Sequence, residues 1–205
     1  DGRIWILRED DPSAGTFRAD GPPEDAVAMV GAGPRGRTLM AADRETILEW
    51  MAARPGFTTV ARDGRIWIVK DDSDAAAATA TAIRAGREPA HSVSMPGAGP
   101  RGTTVRAEDR ETLLRWLGHR PGFEVFPEDG RLWVFDAGSE AAESFRTAGE
   151  PAKSITRIGA GPRGMSLRSD SPGVGILAVH GPLVAIQDAG RIRPQAHAAR
   201  TRADP

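Results

Sequence analysis

Cysteine is absent from the 205 residues, and so is tyrosine. Without thiols the chain can form no disulfide, no thiolate metal site and no cysteine nucleophile, and the composition fits a reducing compartment. Aromatic character is confined to five Trp and six Phe. Charge is close to balance, with 27 Lys and Arg against 28 Asp and Glu and a net of −1. No basic field advertises nucleic acid or an anionic membrane, so nucleic acid is not an expected partner. No apolar run approaches the ~20 residues that span a bilayer, and no leader peptide is visible. The expectation is a cytoplasmic protein without membrane insertion. The chain opens on Asp1 rather than Met, which leaves room for a removed leader.

What the chain has in quantity is repetition. Asp1-Gly2-Arg3-Ile4-Trp5-Ile6 returns as Asp63-Gly64-Arg65-Ile66-Trp67-Ile68 and again as Asp129-Gly130-Arg131-Leu132-Trp133-Val134, at periods of 62 and 66 residues. A second refrain, Gly-Ala-Gly-Pro-Arg-Gly, lies at Gly31 to Gly36, Gly97 to Gly102 and Gly159 to Gly164. Self-similarity at such periods predicts a tandem array, in which each residue can be judged against its equivalents. The expected copies are 1–62 (lacking the first strand of its hairpin), 63–128 and 129–193 (degenerate towards its end), with a disordered tail at 194–205.

Each copy reads as hairpin, helix, hairpin, helix. The first hairpin is clearest from Gly122 to Phe135, where Phe- and Val-rich runs flank Asp129-Gly130, a pair that accepts the positive φ of a tight primed turn. A short helix is predicted from Ser139 to Ala148, with Ser139 as N-cap and Gly149 at the stop; its partner in the middle copy runs from Asp74 to Ala85. The second hairpin turns through Gly-Ala-Gly-Pro-Arg-Gly, with Pro100 presetting φ and Gly102 taking the left-handed position. Then comes the strongest helix, Arg110 to Gly118, capped by Asp109, with Leu113, Leu114 and Leu117 as its apolar stripe. The equivalent helix is Arg44 to Ala53, and Arg-Pro-Gly-Phe ends both. Local hairpins and helices without long crossovers favour an α+β fold: antiparallel sheets with helices packed on one face. Near the end of the chain, Leu183 to Gln187 reads as a strand that could pair with the unpartnered first strand, Arg3 to Leu7, and close the array by removing two exposed edges.

All five tryptophans fall at two repeat positions, Trp5, Trp67 and Trp133 on the Asp-Gly-Arg strand and Trp50 and Trp116 on the second helix. Strand alternation separates Ile66 and Ile68 from Arg65, Trp67 and Val69. The Arg/Trp face has two readings. It is either an open surface that stacks on a partner, or a second buried layer in which arginine covers the indole as a cation–π partner. The glycine loops set Arg35, Arg101 and Arg163 at turn tips. Each loop leads into a strand-like stretch rather than a helix and lacks the Lys-Ser/Thr of a phosphate-binding loop. Its Gly and Pro are turn chemistry; the arginines are less easily explained by turn geometry and read either as solvated turn residues or as a docking surface for a partner protein or a polyanion.

Enzymatic constellations find no support. His91, His119, His180 and His197 occupy unrelated contexts without metal-ligand spacing. Asp43, Asp109, Glu45 and Glu111 sit where helix capping accounts for them. No catalytic residue, metal or cofactor is therefore expected. The expected function is a non-enzymatic repeat module that binds or scaffolds a protein partner. Its residues are Arg35, Arg101 and Arg163, with Trp5, Trp67, Trp133, Arg65 and Arg131 as supports or anchors. A second reading is recognition of an anionic or nucleotide-like small molecule at the glycine loops, and a third is an enzyme with its site at a repeat junction.

Overall fold

The computed structural model describes residues 2–8, 14–15, 17, 21–71 and 74–174. The chain divides into two compact units, residues 1–119 and 120–205. The first contains β1 (Arg3–Trp5), β2 (Val27–Met29), β3 (Thr38–Ala41), α1 (Arg44–Ala52), β4 (Phe57–Arg62), β5 (Arg65–Lys70), α2 (Asp74–Arg84), β6 (Val93–Met95), β7 (Thr104–Ala107) and α3 (Arg110–Gly118). The second contains β8 (Phe123–Glu128), β9 (Arg131–Asp136), α4 (Glu140–Ala148), β10 (Ile155–Arg157) and β11 (Leu167–Ser169).

Local chemistry sets these elements. Asp63 and Gly64 take φ of 49° and 73°, and Asp129 and Gly130 take 48° and 73°, the pair of left-handed residues that joins two twisted strands tightly. Asp43 caps α1 through the Thr46 amide at 2.6 Å and hydroxyl at 2.9 Å, and Asp109 caps α3 through the same groups of Thr112 at 2.7 and 2.8 Å. Each cap stabilises its helix by about 1 kcal/mol. Helix α2 stops at Gly86, in the left-handed region at φ 82°. The Gly86 amide donates to the Ile83 carbonyl and the Arg87 amide to that of Ala82, the paired bonds of a Schellman end. The Arg62 guanidinium closes that end by donating to the carbonyls of Ile83 and Arg84 at 3.2 and 2.8 Å.

The sheets differ from the sequence expectation in two respects. They are mixed, not antiparallel: the strand orders are β1-β3-β2, β4-β5-β7-β6 and β8-β9-β11-β10, and β1/β3, β5/β7 and β9/β11 run parallel. After α2 the second hairpin therefore enters the sheet beside β5, not as a separate ribbon. Helices also cover both faces of the second sheet, not one. Ile66 and Ile68 pack with Val105 and Ala107 against Leu48 and Ala52 of α1 and Leu113 and Trp116 of α3. On the opposite face Trp67 packs with Val60 against Ala80 and Ile83 of α2. The alternation that separates Ile66 and Ile68 from Trp67 thus defines two cores, because both sides of the central strands are buried. In the second unit Trp133, Phe135 and Phe145 form an aromatic cluster with Ala142 of α4, with ring centroids 5.1–6.0 Å apart.

The outer edges of β4 and β8 are handled differently. In β4 the Ala61 amide, turned away from β5, donates to Glu49 Oε1 of α1 at 2.9 Å. In β8 the equivalent residue is Pro127, paired with Leu132, which has no amide to satisfy. The proposed strand Leu183–Gln187 and the tail 194–205 lie outside the described residues.

Candidate functional site

Parallel pairing brings the two sequence refrains to one end of each sheet. Arg65 opens β5 opposite Thr104, directly after the loop that carries Arg101. Arg3 opens β1 opposite Thr38, after the loop of Arg35. In the second unit Leu132, next to Arg131, donates its amide to the Ser166 carbonyl at 3.0 Å, three residues past Arg163. The arginines at 3, 35, 65, 101, 131 and 163 are all exposed. Five of them were singled out from the sequence. Arg3 was not, although it occupies the position of Arg65 and Arg131 in the refrain.

The loop geometry is the same three times. The Gly33 amide donates to the Arg37 carbonyl at 2.8 Å, the Gly36 amide to Gly33 at 3.1 Å and the Arg37 amide to Pro34 at 3.3 Å. Two overlapping turns result, and they share Arg35 at φ 57°, ψ 31°. Arg101 lies at φ 56°, ψ 27° and Arg163 at φ 56°, ψ 29°. A left-handed conformation in a residue with a long side chain is uncommon and costs about 1 kcal/mol or more, which Gly would avoid and Asn would reduce. Turn formation therefore does not call for arginine here. The second glycine of the refrain does have a steric role: a Cβ at Gly33 would lie 2.7 Å from Leu39 Cδ2, and one at Gly161 2.8 Å from Leu167 Cδ2. Loops 30–37, 96–103 and 158–165 contain no Asp or Glu. Two of the tips add an aliphatic side chain, with Val30 76% and Ile158 89% exposed.

The tryptophans of the Asp-Gly-Arg strand divide. Trp67 and Trp133 are fully buried, whereas Trp5 is half-buried with Phe17 5.2 Å from its ring centroid. The cation–π reading of the Arg/Trp face holds, but the arginine comes from the neighbouring parallel strand. Arg106 lies 4.4 Å over Trp67, donating to Glu88 Oε2 at 2.7 Å and Ser92 Oγ at 2.6 Å. Arg168 lies 4.4 Å over Trp133, donating to the Glu150 carboxylate at 3.0 and 3.1 Å and Ser154 Oγ at 2.9 Å. Glu-Pro-Ala-x-Ser recurs at 88–92 and 150–154, with an arginine at the same distance beyond each; that pattern is the signal for this cluster. In the first sheet Met40 stands opposite Trp5 instead.

At the other end of the second sheet a cleft of about 330 Å³ opens between the start of α2 and the start of α3, lined by Lys70, Ala76, Thr79, Glu108, Asp109 and Thr112. The Asp109 carboxylate there is already committed to Thr112. In the second unit Arg146 of α4 pairs with Glu143 and Glu124. The hydrogen bond to Glu143 holds its pKa above the ordinary arginine value, opposed by desolvation and reinforced by the charge of Glu124. Among the described residues, no three His, Cys, Asp or Glu side chains come together to hold a metal ion, and no helix is long and apolar enough to cross a membrane. No family model, curated protein or solved structure matches this chain.

Proposed function

We propose that the chain is a tandem-repeat module that binds a protein partner, without catalysis of its own, through arginines gathered at one end of each sheet. The observation that carries this reading is the left-handed backbone of Arg35, Arg101 and Arg163. A side chain kept three times where the turn itself disfavours it is retained for what it touches. Arg3, Arg65 and Arg131 open the strands beside these loops, Arg65 with the Glu88 carboxylate 3.9 Å away, and loops without Asp or Glu suit an acidic partner surface. Trp67 and Trp133 serve as buried supports, holding β5 and β9 in place beneath Arg106 and Arg168.

A phosphate-bearing small molecule is the weaker reading. The amides of Gly33, Gly36 and Arg37 already donate within the loop, which leaves few for a phosphate cradle. The test is affinity capture with the wild-type chain beside the triple variant Arg35→Ala, Arg101→Ala, Arg163→Ala. A partner held by the wild type and released by the variant, at unchanged melting temperature, supports the proposal. Equal retention by both overturns it. Stabilisation of the wild type by phosphate-bearing ligands alone would favour the small-molecule reading.

A further inference from the structure

The middle copy gathers a surplus of positive charge at the loop end of its sheet. Arg62 and Arg65 stand opposite each other across the Asp63-Gly64 turn, and Arg65 stands opposite Thr104, just past the Arg101 tip. The Arg62 guanidinium bonds the Ile83 and Arg84 carbonyls, which brings the end of α2, with Arg84 and Arg87, to the same place. Residues 62–66, 84–88 and 96–104 thus carry five arginines and two carboxylates, Asp63 and Glu88. Both carboxylates are already engaged, Asp63 by Arg62 at 3.1 Å, and Glu88 by Arg106 at 2.7 Å with Arg65 at 3.9 Å. Arg84, Arg87 and Arg101 are exposed and, among the described residues, meet no carboxylate.

Folding explains part of this cluster. Arg62 closes the helix end, and a cation suits the last turn of α2 at Arg84. Arg87 lies beyond that turn, and Arg101 sits on its loop in a conformation that disfavours it. The third copy lacks the surplus. Glu128 stands in the place of Arg62 and Gly149 in that of Arg87, while Arg146, in the place of Arg84, is paired with Glu143 and Glu124. We infer that this end of the middle copy takes an acidic segment of the protein partner, an inference that rests on the loop arginines being a docking surface. Carboxylates fit what is there, since guanidinium groups grip them in pairs of parallel bonds. A nucleic acid fits less well. The three segments contain no aromatic residue on which a base could stack. The loop amides of Gly99, Gly102 and Thr103 donate within the loop, so they do not cradle a phosphate.

The probe is a capped peptide of alternating Glu and Ser, titrated into the full chain at low salt and followed by amide NMR shifts. It should bind with shifts confined to residues 62–66, 84–88 and 97–104, and weaken as salt is raised, because exposed charge pairs are screened. The same peptide with Gln for Glu should not bind. Arg84→Ala with Arg87→Ala, at unchanged melting temperature, should weaken binding about fivefold or more. Arg44→Ala with Arg110→Ala, which removes two exposed arginines at helix starts, should leave it as it was. No shifts at millimolar peptide, shifts centred elsewhere, or equal losses from the two double variants would each overturn the inference. Tighter binding of an oligothymidylate of equal charge at the same amides would overturn the choice of a protein segment. If the triple loop variant loses its captured partner while Arg84→Ala with Arg87→Ala binds the peptide undiminished, this inference fails and the proposed function stands. Equal capture by the triple variant is the failure of the proposed function itself.

Discussion

Glu49 offers a direct test of how the sheet edges are managed. Its Oε1 accepts the Ala61 amide at 2.9 Å and its Oε2 meets Arg8 at 3.1 Å, with the Glu49 side chain 13% exposed and that of Arg8 33%. Truncation to Ala removes both contacts. A part-buried amide left without an acceptor costs about 1–3 kcal/mol, and the half-exposed ion pair adds roughly 0.5 kcal/mol after screening by solvent. The expected loss is thus about 2 kcal/mol. If Ala61 is first changed to Pro, as at Pro127 in β8, the amide term no longer exists. Glu49→Ala should then cost only the ion pair, about 0.5 kcal/mol, which leaves a coupling energy of about 1.5 kcal/mol. Urea unfolding of the wild type, both single variants and the double variant closes the cycle. It is best read from the amide signals of β4 and β5, because two compact units can unfold in separate steps. A coupling below about 0.5 kcal/mol, the usual error of additivity, would refute the assignment of Glu49 as the cap of this edge.

The remaining predictions bear on the loops and the tryptophans. Arg101→Gly relieves a positive φ worth about 1 kcal/mol and adds a comparable unfolded-state entropy, so its urea midpoint should match or slightly exceed that of the wild type. A loss above about 1 kcal/mol would mean the arginine serves the fold. Trp116→Phe keeps most of the packing but strips the Ala52 carbonyl of its donor, and thermal unfolding should report a loss of about 1–3 kcal/mol. Arg106→Met imitates Met40 of the first sheet; without the charge over Trp67 and the bonds to Glu88 and Ser92, denaturant titration should show about 1–2 kcal/mol lost. Restoring the wild-type value by adding Glu88→Gln to Arg106→Met would assign that loss to the Glu88 carboxylate, left with Arg65 at 3.9 Å, instead.

Much of the local structure is legible from the residues alone. Asp-Gly between Val- and Trp-rich runs specifies a primed hairpin because few other pairs tolerate two positive φ values. Asp43, Asp109 and Ser139 mark helix starts because each presents an oxygen to an amide that the first turn leaves free. Pro-Arg-Gly specifies a turn, and the presence of arginine in it is visible as an excess that turn chemistry does not require. These are interactions over three or four residues, and the sequence states them directly. Which strands become neighbours is decided elsewhere. The three- and four-residue strands β6 and β7 read the same whether their hairpin stands alone or inserts beside β5. Insertion is favoured because Val105 and Ala107 then join Ile66 and Ile68 beneath α1 and α3, a gain in burial shared by residues about 40 positions apart. From that one non-local choice follow the parallel pairs, the second core around Trp67, the seating of Arg106 over its ring, and the meeting of the two arginine refrains at one end of each sheet. Turns, caps and helices follow from the residues themselves, because their bonding is local. Strand order comes from the tertiary fold, and with it which tryptophans are buried and which loop lies beside which strand, because burial is shared among segments the chain keeps far apart.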